Sequence, residues 1–528
     1  MYLQGMKSTA PHRSSINTFG GLDVRSGAKK GTFAQMRNMT GEGYPALRPR
    51  NRRSTVTTLS GYGGGMVVKD ALIYVEGTHL YCNGVKTNLE LTEGDKQLIS
   101  MGAYVLIWPD KCYLNTADLT DYGTIEAAFT TTGTVRLLPV AAEGDEEGTC
   151  SHTAVEAAGI GQFFSPGEGV YLSGGGEVLP EGTYTLLECS DDRLLIPLSL
   201  SAETAMDAAV TVRRYVPEMD FVCQCGNRIW GCKYGMVNGE VVNAVYGSAL
   251  GDFRSWHSFR GLASDSYAAS RGSDGAFTAA CPYLGSVLFF KEHCIERLYI
   301  AANGAHQMVT LECEGVAKGS HRSPAMYGGV LYYHGCGAVY AFDGSLPRVV
   351  SAPLGHLAGE SGCGGMKDGC YYLCLTQDGG HKLLTLDTER GLWHQQDDLA
   401  VRQFASRGGE LLALTEDAVV AMGGTLGNRE TGEVVWFAQT NPIGIGATQE
   451  RYLSRVEVHL EVGGGAMAGV SVSYDGGGTW HECGMVEGYG PLRRAVIPVR
   501  ALRAPFLQLR LAGYGSCTVH SLQLVYEQ

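Results

Sequence analysis

Short apolar runs set off by glycine-rich turns recur along most of the chain, and they alternate in a way that predicts strands rather than helices. One unit reads Gly328–Tyr333, a turn, then Gly337–Gly344; the next reads Gly369–Cys374, Leu383–Asp387 and a closing Gly391–Trp393. Comparable runs occur at Ala71–Val75 with His79–Cys82, at Ala103–Trp108, Asn227–Cys232, Val287–Lys291 and Glu410–Leu414. The spacing is roughly 45 residues, the period of a repeat whose small sheet must stack on its neighbours to cover both apolar faces. The pattern predicts an all-β fold built on a multi-bladed β-propeller of about seven blades.

The rhythm breaks twice. Between 131 and 215 the blade spacing lapses, and Phe163-Phe164, Gly182–Leu187 and Arg193–Leu198 read as an inserted small β module. After 430, Val456–Glu461, Ala468–Tyr474, Arg494–Val499 and Phe506–Leu511 alternate with period two, which predicts a C-terminal β-sandwich with one wet face per strand. Residues 1–58 carry no clear periodicity and read as an extended N-terminal arm. The expected organisation is therefore arm 1–58, propeller 59–130, insert 131–215, propeller 216–430 and sandwich 431–528.

Composition agrees with strands and turns. Glycine makes up 74 of 528 residues, roughly double ordinary usage, as frequent hairpins require. A net charge of −13 argues against a protein that coats nucleic acid over its whole surface, although a local basic patch is compatible with it. No run is long and apolar enough to span a membrane and the N-terminus lacks a signal-peptide core, so synthesis in the cytosol and no membrane insertion are expected. Sixteen irregularly spaced cysteines, among them Cys82, Cys281, Cys336 and Cys374, read as reduced core residues.

Several motifs bear on chemistry. Ser473-Tyr474-Asp475, Gly477 and Thr479-Trp480 fit the Asp-box turn, in which Asp475 caps turn amides and Trp480 packs beneath. That role is structural, and no compact set of arginines and paired acids accompanies it. Neither a phosphate loop, a HExxH helix nor a GxSxG elbow occurs, so no catalytic residue is assigned. Cys223, Cys225 and Cys232 lack paired ligand spacing, and His293, His334, His394 and His481 have no partner at ligand spacing, so neither metal nor cofactor is expected. The arm carries Phe19 and, as the other expected subunit-contact residues, Arg37, Arg48, Arg50, Arg52 and Arg53, and the guanidiniums of these arginines suit phosphate or, as the favoured reading, the acidic surface of a neighbouring subunit.

From residue 227 onward a longer order of turns and aromatics stands out: Asn227–Gly231, Tyr246–Asp252, Trp256, Asp265–Ala268, Gly272–Thr278, Leu288–Glu292, Gly315-Val316, Gly319-Ser320, Tyr332-Tyr333, Val339-Tyr340, Asp343-Gly344, Ser351 and Pro353–Gly355. With Phe19–Leu22, Arg37–Met39 and Leu47–Arg50 it resembles the tail nozzle or hub proteins of tailed bacteriophages, also described as packaged-DNA stabilisation or tubular tail proteins. The resemblance implies a non-enzymatic structural part of a virion tail, assembled in the host cytoplasm. It implies a homo-oligomeric ring, a hexamer, beside adaptor and portal-proximal proteins. Such a ring would line a channel for double-stranded DNA and help retain and release the genome. The alternatives are a glycan-binding or glycan-cleaving propeller at a cell surface, which the Asp box and exposed aromatics favour, and a generic propeller scaffold.

Overall fold

The computed structural model describes residues 11–146, 149–444, 452–488 and 490–527, so the first ten residues of the expected arm lie outside the described residues. The chain forms two compact units, one of residues 62–317 and one of residues 1–61 with 318–528.

The first unit holds four antiparallel four-stranded meanders. Blade one is Gly63–Val68, Leu72–Glu76, His79–Cys82 and Val85–Glu90, and blade two is Gln97–Met101, Tyr104–Trp108, Cys112–Asn115 and Tyr122–Thr124. Blade three is Phe221–Cys225, Arg228–Val237, Glu240–Gly247 and Tyr267–Ser270, and blade four is Phe277–Tyr283, Ser286–Lys291, Cys294–Tyr299 and Gln307–Glu312. The second strand of a blade is covered on both faces, as in Ser286–Lys291, where every residue is buried. This explains why such strands read as unbroken apolar runs: alternation marks a strand with one wet face, and these have none. Between blades one and two, Ile73, Val75 and Leu80 meet Val105, Ile107 and Leu114; between blades three and four, Trp230 and Val245 meet Val287 and Phe289.

Between blades two and three lies the inserted module. One sheet joins Ala127–Thr130, Thr211–Arg214, Gly169–Ser173 and Gly182–Thr185; the other joins Glu188–Ser190, Arg193–Ile196, His152–Glu156, Val135–Val140 and Thr204–Met206. Its two sheets share their own core of Val135, Leu137, Val155, Leu172, Leu194 and Val212.

The second unit holds three more blades. They are Ala325–Tyr327 to Arg348–Val349, Ser361–Lys367 to Leu392–Gln395, and a seventh made of Gln403–Arg407, Glu410–Leu414, Ala418–Ala421 and the distant strand Ser54–Thr58. Seven meanders of this kind among the described residues make the fold a multi-bladed β-propeller. The C-terminal sandwich completes this unit. One sheet runs His12–Ile16, Cys517–Glu527, Tyr452–Val462, Gly490–Pro498, and the other Phe33–Arg37, Val435–Thr440, Phe506–Tyr514, Met467–Ser473, His481–Glu487.

The N-terminal segment thus differs from an extended arm. His12–Ile16 pairs antiparallel with Cys517–Glu527, Phe33–Arg37 with Val435–Thr440, and Ser54–Thr58 with Ala418–Ala421. Strands of five residues contribute too few buried positions to show a period, which is why the sequence reads as structureless there. Among the described residues the one helical element is the 3-10 turn Ala352–Leu354, and no helix is long and apolar enough to cross a membrane.

Candidate binding sites

The arm residues are engaged with their own chain. Phe19 is buried and stacks on Phe33 at 6.0 Å between ring centroids. Arg53 is buried and donates to both carboxylate oxygens of Asp397, at 2.7 and 2.9 Å, and to Gln396 at 2.9 Å. Arg50 reaches Asp397 at 3.3 Å and Glu430 at 3.2 Å, Arg52 pairs with Glu433, and Arg37 pairs with Asp398 at 3.1 Å. Phe19 and Arg53 are therefore unavailable to a neighbouring subunit, because the partners expected on another copy are supplied within the chain.

Arg48 is the exception: it is exposed, and among the described residues no carboxylate pairs with it. It sits on the short strand Arg48–Pro49, opposite Met39–Thr40, beside a backbone bridge from Leu47 to Val519. Gly43 has no room for a Cβ because the aliphatic stem of Arg48 lies there. Arg48, Arg50, Arg52 and Arg429 converge on a cleft of about 760 Å³ whose lining also includes Glu433 and Glu461. The turn at its edge is held by Glu410, which accepts from the Gly423 amide at 2.7 Å, the Thr425 amide at 3.2 Å and the Thr425 hydroxyl at 2.5 Å.

A second concavity lies in the other unit, where a long loop, 248–266, joins the third and fourth strands of blade three. Buried Arg228 organises it by donating to the carbonyls of Ser248, Asp265 and Ala263 at 2.7, 2.5 and 2.6 Å. Asp265 accepts from the amides of Arg260 and Leu262, the latter at 3.0 Å, and Phe253 and Trp256 anchor the loop as buried side chains. Gly304, with φ of +78°, brings the 301–306 turn so close that a Cβ would stand 2.7 Å from Ala263 Cα. The result is an open hollow of about 430 Å³ lined by Phe259, Leu262, Asp265 and Asn303 among others. Phe259 is 56% and Leu262 54% exposed. Asn303 spends its carbonyl oxygen on the Ala305 amide at 3.0 Å.

Glycosidic cleavage by paired carboxylates needs two such groups flanking an open site, about 5 to 9.5 Å apart. The hollow has one carboxylate, Asp265, already bonded to backbone amides. Glu168 is raised from the ordinary glutamate value by burial, but it is enclosed with Arg214, whose Nη1 donates to it at 2.9 and 3.1 Å. Nearby His257 is pulled down to about 4 by burial and packs against Tyr215, the rings tilted by 45° with centroids 4.3 Å apart. What the hollow offers is an apolar wall beside amide and backbone groups, the composition of a binding surface.

The Asp-box residues form the turn after Met467–Ser473. Asp475 accepts from the Ser473 hydroxyl at 2.8 Å and from the Thr479 amide and hydroxyl at 2.9 and 2.7 Å; these bonds hold its carboxyl well below the usual aspartate range. Gly477 donates to Ser473 Oγ at 2.9 Å, and Trp480 donates to the Gly477 carbonyl at 3.1 Å with the Arg510 guanidinium 4.1 Å above its ring. Cys223, Cys225 and Cys232 are buried in the core between blades three and four, where burial raises their thiols. His334 is a buried core residue, with Nδ1 2.9 Å from Ser320 Oγ and Nε2 3.1 Å from the Leu357 carbonyl; His293 lies 3.4 Å from Glu314, and His481 near Tyr474.

No family model and no curated protein matches this sequence. Among solved structures, the chain is similar to an exo-β-1,3-galactanase from Phanerochaete chrysosporium at 9% identity and TM-score 0.19, covering 75% of this chain and 99% of that one. A family 43 arabinoxylan arabinofuranohydrolase from Bacillus subtilis aligns at 11% identity and TM-score 0.18, over 58% of this chain and 94% of its own. An acylaminoacyl peptidase aligns at 9% and 0.30, over 74% and 59%. The expectations of a virion tail nozzle and of a protein without catalysis are corrected on this finding: the galactanase and the arabinofuranohydrolase are glycoside hydrolases, not tail proteins. Likenesses this distant transfer no substrate and no catalytic residue.

Proposed function

We propose that this propeller recognises a glycan, with the blade-three hollow as its ligand site. The observation that carries the reading is the pair Phe259 and Leu262, large apolar side chains held in solvent on a loop whose backbone is fixed from beneath by Arg228 and Asp265. With the backbone anchored in this way the two side chains stay in solvent, so a ligand that covers them gains the burial on binding. A pyranose ring fits the arrangement, since it presents an apolar C–H face to a phenyl ring and hydroxyls at its rim to groups such as the Asn303 amide.

The test is titration of the full chain with β-linked galacto- and xylo-oligosaccharides, with product sugars measured in the same samples so that cleavage is seen if it occurs. Phe259→Ala and Asn303→Ala are each expected to weaken binding about tenfold or more, a loss of about 1.4 kcal/mol. Phe163→Ala, which removes an equally exposed ring on the inserted module, is expected to bind as the unaltered chain does. Saturable binding untouched by Phe259→Ala, or no binding to any glycan tried, overturns the reading.

A further inference from the structure

The arginine-lined cleft lies in the other unit and stands independently of the blade-three hollow. We infer that it is a site for a ligand bearing phosphate or sulfate groups. Four arginines and two glutamates line it, so the local balance is positive on a chain whose net charge is −13. The two carboxylates are partly spent already, Glu433 on Arg52 and Glu461 on His520 at 3.0 Å. Arg50 is pinned by Asp397 and Glu430 and forms the fixed back of the cleft. Arg429 uses only Nε, on the Gly424 carbonyl at 3.3 Å, and Arg48 uses none of its donors on a carboxylate among the described residues.

Two guanidinium forks with free donors facing one concavity match a tetrahedral oxyanion, which accepts pairs of parallel hydrogen bonds. At about 760 Å³ the cleft exceeds what a lone ion needs and falls in the range of small-molecule sites, so the anionic group is expected to ride on a larger body. The Arg52–Glu433 pair adds a built-in competitor: the Glu433 carboxylate occupies the fork that a ligand oxyanion would take.

Titration calorimetry of the full chain at low ionic strength, with inorganic phosphate, pyrophosphate, inorganic sulfate, glucose 6-phosphate and glucosamine 6-sulfate as probes, tests the inference. At least one probe should saturate, weaken with added salt, and lose affinity about tenfold or more in Arg48→Met with Arg429→Met. Arg37→Met, which removes an exposed arginine outside the cleft, should change nothing. Glu433→Gln should tighten binding several-fold by freeing Arg52, an effect that a merely structural role for these residues would not produce. Tighter binding of the sugar esters than of the inorganic ions identifies a saccharide-borne group, and equal binding identifies the free oxyanion. If no probe saturates, or if the double variant binds like the unaltered chain while its circular dichroism is intact, the inference is wrong.

Discussion

Asp397 shows how much a single side chain can hold in this molecule. Its carboxylate receives a two-pronged bond from buried Arg53 and a third from Arg50. Burial alone would raise its pKa, but the charge and hydrogen bonds of Arg53, with Arg50 behind, hold it below the ordinary aspartate value. A depressed carboxyl contributes stability that is present above its unfolded pKa and is lost as pH falls through the folded one. Asp397→Asn is therefore expected to cost about 3–5 kcal/mol near neutral pH, because it leaves Arg53 buried without its counter-charge, and to flatten the acid limb of the stability curve below about pH 4. Urea unfolding of both proteins across that range checks it. His394 works in the opposite chemical sense with the same sign. Burial pulls it down to about 4 from 6.5, so the unfolded chain binds a proton that the folded chain refuses, and stability drains away between those two values as pH falls. In His394→Gln that slope should be absent. The arginine run 48–53 was visible in the sequence as charge. Its partners were not, because Asp397 lies 344 residues from Arg53 and nothing local links the two. Phe259 and Leu262 left a fainter trace, two large apolar residues in a glycine- and serine-rich loop with no strand period around them.

At the scale of elements, the strand Ser54–Thr58 does what no other segment does for its blade. It lies between Ala418–Ala421 and Asn428–Arg429 and covers an edge that would otherwise present unpaired amides and carbonyls. Thr57→Pro removes a ladder donor opposite Val419, and a loss of about 3 kcal/mol or more is expected in equilibrium unfolding. The blades themselves were legible because their second strands are buried on both faces and therefore read as short solid apolar runs, as at Tyr104–Trp108 and Cys370–Gln377. The sandwich was legible for the converse reason: Tyr452–Val462 ends in an alternation of buried and exposed positions. What escaped was partnership, since Phe33–Arg37 alternates weakly and only its pairing with Val435–Thr440 makes it part of a sheet.

For the molecule as a whole, the sixteen cysteines are all free, nine of them are buried, and Cys336 alone is exposed. The core reading of the sequence fits Cys82 and Cys374, but Cys336, read as core as well, stands in solvent, and the difference carries a measurable signature. With a thiol reagent at neutral pH, one fast-reacting group is expected in the native protein and the full sixteen in denaturant, counted by mass spectrometry. Cys336→Ser should abolish the fast phase and leave the rest unchanged. Burial also raises the thiols at Cys112, Cys281 and Cys517, to between about 11 and 12, which keeps them protonated and unreactive at any pH near neutral.

The placement of residues 54–58 has a consequence for how the protein is made. On a translating ribosome this stretch emerges long before the segment it must join, Ala418–Ala421, which lies several hundred residues further along the chain. At bacterial or eukaryotic elongation rates of about 5–20 residues per second, that delay is tens of seconds, during which a sticky ribbon waits without its mate. Nascent chains stalled before codon 418 should therefore be the ones chaperones bind and proteases nick near residue 56. A rearranged gene that starts at residue 60 and places 11–58 after the sandwich should escape the wait altogether.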